Sequence, residues 1–188
     1  MNISMGKKSV GRALGSLALA VLLVSSVLLA GAAPALAAGE GMPPQPEETG
    51  QRGTVRLEFA YLRLQHVAQD QAMHLSHAGE VADFIQGWID ELAANGQDVT
   101  ALQSALDDFE AALAEAQGHY DQAKAILDQH AGFDDAGKVT DRQQAAETLR
   151  QAGRSLRDSR RTLQDGVIAL RRAIGDWRRA HRPGQIDS

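Results

Sequence analysis

The sequence predicts an all-α protein, an antiparallel three-helix bundle of long, coiled-coil-like helices. Apolar residues recur at alternating spacings of four and three over three long stretches, and proline is absent between Pro46 and Pro183. A spacing that averages 3.5 residues places the apolar residues on one side of a helix and favours helices packed side by side. Because the segments between the three stretches are short, consecutive helices must run in opposite directions.

The N-terminal segment has the features of a secretion signal. Basic residues occur within residues 1–12, an apolar stretch covers residues 14–30, and Ala35-Leu36-Ala37 matches the small residues that signal peptidase requires. We therefore expect residues 1–37 to be removed and the mature protein to be periplasmic or secreted. The alternative is an uncleaved membrane anchor, since the apolar stretch is almost long enough to span a bilayer. The absence of cysteine excludes a lipoprotein anchor and disulfide bonds.

Residues 38–54 consist mostly of Gly, Pro, Glu and other polar residues, which predicts a flexible tether before the bundle of residues 55–183. Helix 1 is predicted over residues 55–94, and Asn95-Gly96 supplies its end. The residues of helix 1 expected to face the core follow each other at spacings of four and three, and all are apolar except Gln71. They are Leu57, Tyr61, Leu64, Ala68, Gln71, Leu75, Ala78, Ala82, Ile85, Ile89 and Leu92.

The two further helices are predicted over residues 99–131 and 141–181, with Pro183-Gly184 stopping the last one before a tail at residues 184–188. Helix 3 carries two parallel rows at heptad spacing, a large row of bulky side chains and a small row of Ala, Ser and Gly. Alternating bulky and small side chains lets neighbouring backbones approach closely. The large row is Leu149, Leu156, Leu163, Leu170 and Trp177, and the small row is Ala145, Ala152, Ser159, Gly166, Ala173 and Ala180. Glycines within the helices fit the same close packing, or alternatively only soften the helices: Gly79, Gly87, Gly118, Gly153, Gly166 and Gly175.

Two segments have the form of a capping box, in which a Thr hydroxyl and a Gln side chain cap the first turn. Thr100 with Gln103 begins helix 2, and Thr140 with Gln143 begins helix 3.

The loop before helix 3 has some of the spacing of a calcium-binding EF-hand loop. With Gly137 at loop position 6, Asp134 takes position 3, but Gly132, Ala136 and Gln143 then stand where oxygen ligands are needed. We therefore expect a tight turn in which Gly137 adopts a positive φ.

Charge divides the chain into two parts. Residues 55–137 contain 15 acidic residues against Arg56, Arg63 and Lys124, whereas residues 141–188 contain 11 Arg and 6 acidic residues. We expect the Arg-rich helix 3 to pair with the acidic hairpin of helices 1 and 2. Loss of residues 1–37 would lower the net charge from −5 to −8, so we expect no nucleic-acid partner and no membrane binding after signal cleavage.

Four residues on one stripe of helix 1 have side chains that suit zinc, copper or nickel: His66, Asp70, His74 and His77. The stripe lies away from the predicted core and no second helix completes a ligand set, so we expect a solvated face, no metal site and no cofactor. Phe84 and Trp88 extend this side. We expect them to be buried against helix 3, the alternative being a patch that binds a partner.

The chain resembles two groups of exported proteins. The repeated Val-Thr-x-x-Gln at residues 99–103 and 139–143 resembles the Leu-Thr-x-x-Gln motif of Spy/CpxP-like periplasmic chaperones, with Val in place of Leu. Segments such as His130-Ala131-Gly132-Phe133-Asp134 resemble exported bacterial proteins of the same three-helix layout. The second resemblance implies the fold and export, and it implies no activity.

No arrangement of catalytic residues is recognisable: the chain has no Cys, no Gly-rich phosphate loop after a strand and no nucleophilic Ser in an elbow motif. We therefore expect a non-enzymatic protein that acts through its surface, as an interaction or structural module of the cell envelope with a protein partner. The alternative is a Spy-like envelope stress chaperone or a metal-stress protein. The oligomeric state does not follow from the sequence.

Overall fold

The computed structural model describes residues 46–181 and is an all-α three-helix bundle, as predicted. Its helices are α1 (Pro46–Ala94), α2 (Thr100–Gln129) and α3 (Arg142–Ala180). The predicted signal peptide, the first part of the predicted tether at residues 38–45, and the predicted tail lie outside the described residues. Within the described part of the chain, no helix is both long and apolar enough to cross a bilayer.

Helix α1 begins at Pro46 instead of Val55, so residues 46–54, which we assigned to the tether, are helical. Proline is well suited to the first turn of a helix, because its φ is already helical and the missing N–H would have no partner there. A proline suited to the first turn thus favours a helix here, although the polar composition of residues 46–54 predicted a flexible tether.

Helix α1 ends where the sequence predicts. Gly96 has a φ of 77° and donates its N–H to the carbonyl of Ala93, while Gln97 donates to that of Leu92. This pair of bonds is the Schellman pattern that satisfies the last carbonyls of a helix.

The loop between α2 and α3 is the predicted tight turn. Gly137 has a φ of 74°, and an antiparallel bridge joins Phe133 to Val139. The Asp134 carboxylate accepts hydrogen bonds from the backbone N–H groups of Ala136, at 2.9 Å, and Lys138, at 2.8 Å. This carboxylate therefore serves the turn itself.

The two predicted capping boxes are wrong in detail, because Asp caps both helices. At α3 the Asp141 carboxylate accepts the N–H groups of Gln143 and Gln144 at 2.8 and 3.0 Å, which makes Asp141 the N-cap in place of Thr140. At α2 the Asp98 carboxylate accepts the N–H of Thr100 at 3.0 Å.

The Gln103 side chain does not reach back to the start of α2; it bonds to Gln86 and Asp107. A carboxylate carries more negative charge than a hydroxyl, so it is the stronger acceptor for the positive end of a helix.

The chain forms two compact units, each built from one segment of every helix. Among described residues, the first unit contains residues 74–114 and 163–181, and the second contains residues 46–73 and 115–162. Since each unit pairs opposite ends of consecutive helices, α2 runs antiparallel to α1 and α3.

The second unit has a core of small side chains around a few large ones. Tyr61 stacks on Phe133 at a ring distance of 4.3 Å and donates its hydroxyl to the carbonyl of Leu127 at 3.0 Å. The buried cluster consists of Tyr61, Ala68, Ala123, Leu127, Phe133, Ala145, Ala152 and Leu156. The small row predicted on α3 is thus buried here as far as Ser159.

The first unit has a core of large side chains. Its largest fully buried side chains are Ile85, Ile89, Leu102, Leu106 and Phe109. Of the predicted helix glycines, Gly166 packs closely: an added Cβ would lie 2.9 Å from Ala112 and 3.4 Å from Phe109. Close packing is not the explanation for three others, which have open space beside them: Gly79, Gly87 and Gly118.

Candidate functional site

Helix α1 carries a second row of apolar residues that faces away from the bundle. Four large side chains in it are exposed: Val55 by 42%, Phe59 by 68%, Leu62 by 48% and Met73 by 56%. Exposed polar residues complete the row at the same spacing of four and three. We call this row the outer face of α1; it consists of Val55, Phe59, Leu62, His66, Gln69 and Met73.

The outer face lies opposite the core of the second unit. His66 follows Leu57 by about two and a half helical turns, and Leu57 packs against the core, so His66 points to the other side. The outer face is therefore the side of α1 that is opposite to the side packed against the core. In a three-helix bundle, only one side of each helix packs against the other two. Among the described residues, no segment packs against the outer face of α1.

Basic residues border one edge of the outer face. The three Arg of α1 are Arg52, Arg56 and Arg63, and all lie within about a turn of its apolar side chains. With Gln51, two of these Arg and the side chains of Val55 and Phe59 line an open depression of about 580 Å³. The edge is thus positive on a helix that is otherwise acidic.

The opposite edge carries Glu58, and this carboxylate already has partners. It accepts the Lys138 ammonium at 2.9 Å and the backbone N–H of Val139 at 3.3 Å. The hydrogen bond from Lys138 is the main cause that holds the pKa of Glu58 below its ordinary value. Glu58 therefore anchors the turn before α3 to α1.

The residues weighed as metal ligands are spread along α1. His66, Asp70 and His77 are exposed, and His74 is half-buried. His66 and Asp70 belong to the second unit, whereas His74 and His77 belong to the first. Within residues 46–181, no group of three or more His, Cys, Asp or Glu side chains is arranged to hold a metal ion.

Phe84 and Trp88 have different positions in the first unit. Trp88 is buried, 5% exposed, and meets Trp177 of α3 edge to face at 5.5 Å, as expected. The Trp177 indole N–H donates to the carbonyl of Asp98 at 2.8 Å, which ties the α1–α2 loop to α3. Phe84 is 46% exposed, so its predicted burial is wrong. Ile85 occupies the inward position beside it.

Two Arg residues of α3 make ion pairs with acidic residues of the same helix. Arg150 pairs with Glu147, and Arg179 pairs with Asp176. Arg182, one of the 11 Arg counted in residues 141–188, lies outside the described residues. The pairing of α3 with the acidic hairpin stays a prediction. Lys138, in the loop before α3, pairs with Glu58 of α1.

The outer face was not predicted from the sequence, although its spacing was present. Along the sequence, the residues of the core row are interspersed with Val55, Phe59 and Leu62. A search that assigns one apolar row to each helix therefore misses this second apolar row. Comparison with protein-family models, curated proteins and solved structures finds no match to this chain.

Proposed function

We propose that this protein is a non-enzymatic, exported interaction module of the cell envelope. The observation that supports the proposal is the outer face of α1, where Phe59 and its apolar neighbours stand in solvent. Complete burial of a fully exposed large apolar side chain gains about 1.5–3 kcal/mol, so side chains that are about half exposed would gain roughly half of that against a partner. Contiguous exposed apolar side chains with a charged border are typical of surfaces that bind other molecules.

The carboxylates with lowered pKa serve the fold. The pKa of Asp98 is lowered mainly by the backbone N–H of Thr100, and that of Glu58 mainly by Lys138. In each case the charged form stabilises a helix start or a loop, which is a role in folding.

Export is supported by the sequence of residues 1–37 alone. The intact mass of the protein released by its cells tests it, since cleavage after Ala37 gives a chain that begins at Ala38. A full-length species retained in the membrane would refute cleavage and favour the anchor.

Site-specific photo-crosslinking in cells tests the interaction role. A photoreactive residue is placed at one exposed position of each helix, namely Phe59 on α1, Ala111 on α2 and Ile168 on α3. We expect a reproducible adduct with an envelope protein from at least one position. If all three positions give only the free protein, the proposal is wrong.

A Spy-like stress chaperone is the second candidate, because exposed apolar side chains also hold unfolded clients. A purified chaperone suppresses the aggregation of a thermally unfolding client at stoichiometric ratios. We expect the present protein to leave aggregation unchanged. Suppression that is lost in Phe59→Gln/Leu62→Gln would favour the chaperone over the interaction module.

A further inference from the structure

We propose that the outer face of α1 is a docking site for one acidic amphipathic helix of a partner protein. The inference rests on the proposed interaction role and names its surface and the chemistry of its partner. The outer face runs from Val55 to Met73 within a single helix, and every residue in it belongs to the second unit.

The spacing of the outer face fits a helix. Its members follow each other at four and three residues from Val55 to Met73, which is the pattern of a coiled-coil seam. The apolar stripe is bordered by Gln65 on one side and by Arg63 on the other, and one further exposed apolar side chain, Val67, lies beyond Arg63. A helix that lies in a membrane surface needs a much wider apolar side. A partner helix is therefore favoured over a lipid surface.

The border of the outer face selects an acidic partner. Arg56 and Arg63 are exposed and occupy the position next to the seam in successive heptads. Residues at such flanking positions pair with charges on the opposing helix and set the choice of partner. Acidic residues in the partner would face both guanidinium groups. A basic partner would place like charges together.

The same border disfavours a second copy of this chain. Two copies docked antiparallel in full overlap would place Arg56 beside Asp70 of the second copy but Arg63 beside the second copy's Arg63, so this edge would be matched only in part. In a parallel pair, Glu58 would face the Arg63 of the second copy, but Glu58 is bound to Lys138 and Val139. A separate helix with several acids matches the surface better than this chain matches itself.

Two synthetic probe peptides test the proposal with the full chain. Each has about three heptads with Leu at the seam positions; one carries Glu and the other Lys at every flanking position. Repulsion between like charges keeps each peptide from pairing with itself. At physiological salt we expect fluorescence anisotropy to give the Glu peptide a Kd in the micromolar range, at least tenfold tighter than the Lys peptide.

Three variants locate the contact. Phe59→Gln/Leu62→Gln should weaken binding of the Glu peptide at least tenfold, because it removes the apolar seam. Arg56→Gln/Arg63→Gln should remove most of the preference for Glu over Lys. Phe84→Gln/Ile168→Gln is the matched control: these side chains are exposed to a similar extent but lie in the first unit, so binding should stay unchanged. All three variants should melt like the wild type by circular dichroism.

Equal affinity for the two peptides, or no binding of either, would overturn the proposal. A wild-type dimer in sedimentation that Phe59→Gln/Leu62→Gln converts to a monomer would assign the face to a second copy. Binding to phosphatidylglycerol vesicles that this variant loses, without peptide binding, would assign it to a lipid surface. If crosslinks form only from α2 or α3 and the Glu peptide does not bind, this inference fails while the interaction role stands.

Discussion

Among the glycines that the structure describes, Gly132 has the least room for a side chain. Its φ is 85°, and an added Cβ would lie 2.7 Å from the carbonyl oxygen of Asp141 and closer still to the backbone nitrogen of Ala145. Its own carbonyl accepts the N–H groups of Thr140 and Asp141. The chain between α2 and α3 is thus held directly against the first turn of α3, where no side chain fits.

We expect Gly132→Ala to destabilise the protein by about 3 kcal/mol or more, because both backbone strain and a backbone clash oppose it. Gly118→Ala is the matched control. Gly118 lies inside α2 with open space beside it, so alanine should stabilise by up to about 1 kcal/mol. Urea unfolding measures both. Equal effects of the two substitutions would contradict the packing described for Gly132.

Gln71 and Ser159 form a polar pair inside the second unit. Gln71 is 5% exposed and Ser159 is fully buried, and the Gln71 amide donates to the Ser159 hydroxyl at 3.1 Å. The single interruption of the apolar row of α1 therefore meets the one hydroxyl in the small row of α3. Such a pair favours one register of the two helices over its neighbours.

We expect Ser159→Ala to cost about 1–3 kcal/mol, because the Gln71 amide loses its partner while it stays buried. The double variant Gln71→Met/Ser159→Ala removes both polar groups and should recover most of that loss. A double-mutant cycle by urea unfolding gives the coupling. Additive effects of the two substitutions would show that the pair contributes nothing as a pair.

At the scale of the element, the start of α3 shows which side chain caps a helix. Asp141 accepts two amides of the first turn, while Thr140, one residue earlier, donates its N–H to Gly132. A Thr followed three residues later by Gln satisfies the pattern of a capping box equally well in the sequence.

Asp141→Ala should lower the free energy of unfolding by about 1 kcal/mol, the usual cost of losing an N-cap. Thr140→Ala should cost much less, since the backbone bond of Thr140 survives the substitution. Thermal melts of the two variants distinguish the residues. A larger loss for Thr140→Ala would restore the capping box and refute the cap described here.

Helix α1 as an element is apolar on two opposite sides in the second unit. The row with Tyr61 and Ala68 is buried, and the outer face with Phe59 and Leu62 is exposed. A helix of this kind is suited to join two sets of neighbours. The bundle supplies one set, and we propose that a partner supplies the other.

At the scale of the whole molecule, acid should destabilise the protein through Glu58 and Asp98. The pKa of each is lower in the folded protein than its ordinary value, 4.5 for Glu58 and 3.8 for Asp98. The unfolded chain therefore binds protons at a higher pH than the folded one, so the stabilisation is present above these values and is lost as pH falls through the folded pKa. Tyr61 acts oppositely: burial raises its pKa, so its contribution is lost above pH 10.

Thermal melts over a pH series test the acid side. Glu58→Gln should reduce the loss of melting temperature below pH 4.5, because its amide cannot take up a proton. Glu80→Gln, on an exposed position of α1, is the control and should follow the wild type. Identical acid profiles for Glu58→Gln and the wild type would show that the contact with Lys138 contributes nothing.

The Arg content of α3 should not make the protein bind nucleic acid or anionic lipid. Arg150 and Arg179 pair with acids of their own helix, and the whole chain carries a net charge of −5, which repels polyanions. We expect no gel shift with duplex DNA and no cosedimentation with anionic vesicles at physiological salt. Binding that is lost in Arg171→Gln/Arg172→Gln/Arg178→Gln/Arg179→Gln, with normal melting, would make this side of α3 a binding surface.

Most of the fold was predictable because it depends on local spacing. The residues of the predicted α1 row from Ala68 to Leu92 are all buried, Gln71 included, and Gly96 ends the helix as expected. The heptad row of α3 is buried from Leu156 to Trp177. Periodicity, proline and glycine therefore determined the number of helices, most of their ends and the sides on which they pack.

The candidate site was not predictable in this way, because exposure depends on what surrounds a helix. Val55, Phe59 and Leu62 have the same spacing as buried residues, and Phe84 is as apolar as Trp88, which is buried. In a bundle of three helices, one side of each helix stays exposed to solvent. Where a helix has two apolar rows, only the packing of the helices decides which row is buried and which is exposed. The sequence by itself thus determined the helices and their rows. The tertiary structure decided which row faces solvent, since burial is a property of neighbours and not of spacing.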